Sequence, residues 1–130
     1  MRMENRRAST STTFLDATSG EGILQMASDE NGLLLMSFRL YDSTGSLVID
    51  SDGLGPYPDG LTVRCAKGEL LLDVPANSGD DVRYCLYNSN GALLTRSDGV
   101  RTRIYPLLRM EGVGRNWTRP VPAPVGDPPA

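Results

Sequence analysis

The sequence predicts an all-β domain: an antiparallel β-sandwich or barrel-like fold of about eight short strands, with an internally duplicated hairpin unit. Three observations carry this. Apolar runs alternate along the chain with clusters of Asp, Asn, Ser and Gly, the punctuation of strands and tight turns. Within the runs apolar residues fall at every second position, as in Leu34, Met36, Phe38 and Leu40 against Ser37 and Arg39, which buries one face of a strand. No window carries the apolar period of a long amphipathic helix.

The strands follow in order. Ile23–Ala27 ends at the turn cluster Asp29-Glu30-Asn31-Gly32, and Leu33–Tyr41 ends at Asp42-Ser43-Thr44-Gly45. Ser46–Asp50 precedes a long loop from Ser51 to Gly60. Leu61–Ala66 and Glu69–Val74 flank a tight turn at Lys67-Gly68, and the cluster from Pro75 to Asp81 separates them from Val82–Tyr87. Ala92–Arg96 follows Asn88-Ser89-Asn90-Gly91, and Val100–Leu108 follows Ser97-Asp98-Gly99. Alternation places residues 34, 36, 38, 40, 70, 72, 82, 84 and 86 in the core.

The segment Leu40 to Leu54 recurs as Leu86 to Val100 at a constant offset of 46, with eight of fifteen positions identical. Asp42 or Asn88 can close an Asx turn, and Gly45 or Gly91 supplies the positive φ of a hairpin bulge. Duplication of a hairpin, or convergence on one turn chemistry, explains the match. A β-solenoid with the two copies stacked in parallel is the alternative architecture. The run Phe38 to Val48 resembles the Tyr-Asp-x-x-Gly-x-Leu hairpin of YD-repeat toxins and Cache-type sensors. That resemblance covers one hairpin and its copy, and the spacing of 46 departs from the much shorter YD period, so no function is carried over.

Composition divides the chain into a polar N-terminal arm (1–20), a β domain (21–114) and a proline-rich C-terminal arm (115–130). Residues 8–98 hold thirteen carboxylates against five cations, a net of −8, while residues 1–7 carry +2 and residues 99–120 carry +4. An acidic body with basic ends argues against general nucleic-acid binding. Histidine is absent, which removes the commonest general base and metal ligand. Cys65 and Cys85 form no CxxC, so no zinc site and no cofactor are expected, and both are expected to stay reduced. Cys65 shares the parity of the core, whereas Cys85 falls on the opposite face as a half-exposed thiol. Asp50, Asp52 and Asp59 lack the spacing of a calcium loop. No catalytic residue or metal ligand is assigned.

One basic and aromatic stretch stands out. Arg101, Arg103 and Tyr105 alternate with apolar neighbours on one strand face, and Arg109, Arg115 and Trp117 follow. Arginine and tryptophan suit planar contacts at binding hot spots. These six residues are the candidate binding site. The expected function is a non-enzymatic structural or interaction module, a shell, tail or filament component that uses its arms to bind a protein partner or further copies of itself. A small inhibitor or sequestering protein docking through its basic strand is the alternative, and an enzyme comes third. With no apolar core of a secretion signal, and no apolar run near the roughly 20 residues of a membrane span, a cytoplasmic setting without membrane contact is expected. Whether a small-molecule ligand binds is left open.

Overall fold

A computed structural model describes residues 10–76 and 82–113 of the protein. Among these residues there is no helix; eleven strands form one antiparallel sheet. They are β1 (Thr10–Asp16), β2 (Gly22–Ser28), β3 (Leu34–Tyr41), β4 (Leu47–Asp50), β5 (Gly55–Pro56), β6 (Leu61–Arg64), β7 (Leu70–Val74), β8 (Arg83–Tyr87), β9 (Leu93–Ser97), β10 (Thr102–Ile104) and β11 (Leu108–Val113). The main path runs β10-β9-β8-β3-β2-β1-β11, and its two ends do not pair with each other. The sheet is therefore not closed into a barrel.

Two four-stranded meanders make up most of this sheet. The ladders β1–β2, β2–β3 and β3–β4 form the first, and β6–β7, β7–β8 and β8–β9 form the second with the same order. They meet at a single antiparallel register position, Tyr41 opposite Tyr87, two residues that are themselves 46 apart. Antiparallel contact between corresponding strands excludes the β-solenoid, which needed the copies stacked in parallel.

Four of the hairpins use one turn. In residues 29–33, 42–46, 65–69 and 88–92 the first N–H donates to the last C=O, and a glycine N–H donates back to the first C=O. This is a type I turn closed by a glycine bulge, with φ between 80° and 89° at Gly32, Gly45, Gly68 and Gly91. In three of the four, a side-chain oxygen of Asp29, Asp42 or Asn88 also accepts two backbone N–H groups at 2.9–3.0 Å.

Gly45 and Gly91 have a second reason to be glycine. A Cβ on Gly45 would stand 2.5 Å from the Ser89 carbonyl oxygen, and one on Gly91 would stand 2.4 Å from that of Ser43. The two corresponding turns thus pack backbone on backbone, each glycine under the other's carbonyl.

The sheet folds over so that β1 faces β8: the Phe14 and Tyr84 rings lie 5.4 Å apart. Asp16, buried at the end of β1, receives hydrogen bonds from Thr18 at 2.9 Å and Ser19 at 2.9 Å. Burial there disfavours the charged form, but Ser19, Thr18 and, least, Asn88 from the turn of the second meander hold the carboxyl below its usual range. Met36, Phe38, Leu40, Leu72, Val82, Tyr84 and Leu86 lie in the core as the alternation requires; Leu34 packs against it partly buried, whereas Leu70 is only half-buried.

Other expectations change. Residues 10–16, read as part of the polar arm, form β1: threonine is β-branched and suits a pleated surface, and Phe14 supplies a core side chain. The single strand expected over Val100–Leu108 is broken, because Pro106 has no N–H and a fixed φ; Leu108 N–H donates instead to the Tyr105 carbonyl at 3.0 Å, closing a corner. Cys85 is buried rather than half-exposed, as are Leu35 and Leu71, which alternate with the expected core positions of their strands. β7, β8 and β9 of the second meander bury side chains on both faces, which alternation alone does not reveal.

Replacing Gly32 with alanine should cost about 1 kcal/mol for the left-handed backbone, because a Cβ there meets nothing within 4 Å. Gly45→Ala and Gly91→Ala should each cost clearly more, since a carbonyl must also move. Urea denaturation of the three variants measures the difference, and equal losses would show that the turn contact carries no energy.

Candidate functional site

The basic stretch divides between the two ends of the sheet path. Arg101 is exposed in the turn after β9, where its backbone N–H donates to the Asp98 carboxylate at 2.8 Å. Arg103 lies on β10 directly opposite Arg96 of β9, which in turn lies opposite Cys85 of β8. Tyr105 is buried, its N–H donating to the Leu94 carbonyl at 3.0 Å. Arg109 lies on β11 at the far end of the path, opposite Leu15 and ion-paired with Glu111. Arg115 and Trp117 lie outside the described residues. The expected single arginine face is thus interrupted at the corner 105–107, and Tyr105 turns inward.

Two polar clusters that the sequence reading missed occupy matching places in the two meanders. The register that puts Leu24 opposite Phe38 and Leu72 opposite Tyr84 also brings Glu21 to Tyr41 and Glu69 to Tyr87. Each tyrosine hydroxyl donates to its glutamate at 2.7 Å. Burial and the adjacent carboxylate push both phenols above their ordinary pKa. The signal was present in the paired runs Gly20-Glu21 and Gly68-Glu69, each followed by apolar residues two and three positions on.

Around these clamps the two halves differ. In the first, Arg39 bridges Glu21 at 2.9 Å and Asp50 at 3.1 Å. In the second, the corresponding cross-strand pair is Cys85 and Arg96. Burial pushes the Cys85 thiol up, against the opposing effects of Tyr87 and Arg96, so it is protonated at neutral pH and is no activated nucleophile.

One row further along, Thr62, Asp73 and Arg83 cross three strands. Thr62 donates to Asp73 at 2.8 Å, and Arg83 pairs with the other carboxylate oxygen. These contacts hold the Asp73 carboxyl below its usual range, Arg83 contributing most and Thr62 next. The matching row in the first half is Thr13, Gln25 and Ser37. Together with Arg39, Asp50 and Leu54 that row lines an open groove of about 460 Å³. Its floor offers neutral donors and acceptors, and the charge of Arg39 is already matched by two carboxylates. Asp50, considered for calcium, is committed to Arg39 and to the N–H of Asp52 at 2.8 Å.

Ser11 of β1 lies opposite Val113 of β11, so residues 1–9 and 114–130 join the described fold side by side at one end of the edge ladder. No protein-family model, curated protein or solved structure matches this chain. No helix among the described residues is long and apolar enough to cross a membrane.

Tyr105 and Tyr87 make contrasting test sites. The Tyr105 hydroxyl is buried without a hydrogen-bond partner, so Tyr105→Phe should leave stability unchanged or raise it by up to about 1 kcal/mol. Tyr87→Phe, which strips the clamp from Glu69, should cost about 1 kcal/mol or more. Thermal unfolding distinguishes the two.

Asp73 gives a pH dependence. Because its folded pKa is lowered, its contribution is complete above the ordinary carboxylate value of about 4 and is lost as pH falls through the folded value. Urea denaturation across the acid range should show a shallower acid loss for Asp73→Asn than for the parent chain.

Proposed function

We propose that this protein is a non-enzymatic interaction module that binds a protein partner, or further copies of itself, through its basic terminal segments. The observation that carries this reading is the position of Ser11 opposite Val113. Arg2, Arg6 and Arg7 on one segment, and Arg115 and Arg119 on the other, are tethered to the same end of one sheet edge. Two arms starting from one point act on a partner together, and the second contact benefits from the high effective concentration set by the first. The body from 8 to 98 carries a net of −8, so basic arms meeting the body of a neighbour bring unlike charges together.

Trp117 and the prolines of the C-terminal segment belong to the same contact. Arg101 and Arg103, on the other side of the corner at residues 105–107, supply a second basic group to the same partner. Two free cysteines suit a reducing, cytoplasmic setting. The reading of a small inhibitor docking on β10 is less favoured, because Tyr105 is buried there.

Sedimentation of the full chain tests the proposal. The parent should show a mass above the monomer at low ionic strength that falls as salt rises. Replacing Arg2, Arg6, Arg7, Arg115 and Arg119 together with serine should abolish that assembly while leaving the β circular dichroism intact. An unchanged mass for the five-residue variant would remove the arms from the account.

A further inference from the structure

We propose that the outer edge of β11 is a self-recognition surface, on which β11 of a second copy pairs antiparallel about a two-fold axis at Met110. The inference rests on the interaction reading above and names its partner and register. Among the described residues no strand pairs with β11 on the side away from β1. The backbone groups that alternate residues of β11 turn away from β1 are thus open to strand addition, apart from the Leu108 N–H, which donates to Tyr105.

The side chains select one register. Arg109 and Glu111 are the charged residues of this strand and are both exposed, while Leu108, Met110 and Gly112 between them are partly covered. With the axis at Met110, Arg109 lies opposite Glu111 of the second copy and Glu111 opposite its Arg109. The same register sets Leu108 opposite Gly112, a large side chain against none, twice. An axis at 109 puts arginine against arginine, and one at 111 puts glutamate against glutamate; each is opposed by like-charge repulsion. An edge protected only by charge has no need of such self-complementarity. Here the Arg109–Glu111 pair within one strand becomes a four-charge network across two. The contact is isologous and closes at two copies. Val113 of one copy then lies opposite Leu107 of the other, so each C-terminal segment starts beside its partner's corner.

The test uses the full chain with charge reversals and a cross-link. Arg109→Glu and Glu111→Arg should each weaken the dimer roughly tenfold or more in sedimentation, because two attractive pairs become repulsive, and the double exchange should restore it. Met110→Cys should form an interchain disulfide under mild oxidation, since residues directly opposite on antiparallel strands lie within disulfide reach. Failure of the double exchange to restore the dimer, or absence of the cross-link in a Met110→Cys chain that still self-associates, would overturn the proposed register. Combining Met110→Cys with the five arginine replacements separates the two readings. If that chain stays dimeric and cross-links, strand pairing stands without the arms; if the parent assembles and Met110→Cys alone does not cross-link, the arms act without this edge.

Discussion

The fold depends on a contact between two pieces of backbone. Gly45 sits under the Ser89 carbonyl and Gly91 under that of Ser43, and next to them Tyr41 meets Tyr87 in the single register position that joins the two meanders. No side chain fits in that space. Because the approach is reciprocal, it fixes both the distance and the relative rotation of the halves. Across the core, Phe14 also reaches Tyr84. A sheet held only by its ladders could twist freely about β3. This one is clamped by two turns at one end and by an aromatic pair across the core.

On this frame the halves keep their mechanics and vary their chemistry. The glutamate–tyrosine clamp is present in both at the same distance, tying the third strand of each meander to the residue before its second. The rows beside it have changed character. Thr62, Asp73 and Arg83 satisfy one another with charge, whereas Thr13, Gln25 and Ser37 present neutral groups to an open groove. Arg39 with Asp50 corresponds to Cys85 with Arg96, so a solvent-facing ion pair in one half is replaced by a covered thiol in the other. The two halves share the residues that set strand geometry and differ at the residues free of that duty.

Much of the fold was legible because turn chemistry is local. Asp29, Asp42 and Asn88, each followed three residues later by glycine, mark hairpins whatever surrounds them. The core of β3 could be read from its alternation. What escaped were features set by neighbours distant in the chain. Leu71 and Leu94 break the one-sided pattern because both faces of their strands are covered. Thr10 to Asp16 looked like solvent-exposed tail because one phenylalanine among hydroxyls is a weak local signal. The candidate site was less legible still: alternation placed Arg101, Arg103 and Tyr105 on one face, but nothing local shows that Pro106 carries the chain from one end of the sheet path to the other.

The pairing of Ser11 with Val113 has a mechanical consequence. Tension applied through both terminal segments reaches the β1–β11 ladder at one end and across its strands, so its hydrogen bonds are loaded in sequence rather than together. Such a seam opens at low force while the glycine-locked junction of the two meanders, outside the line of pull, stays intact. Held between two tethers, the domain would lengthen by peeling β11 from β1 long before its core was exposed.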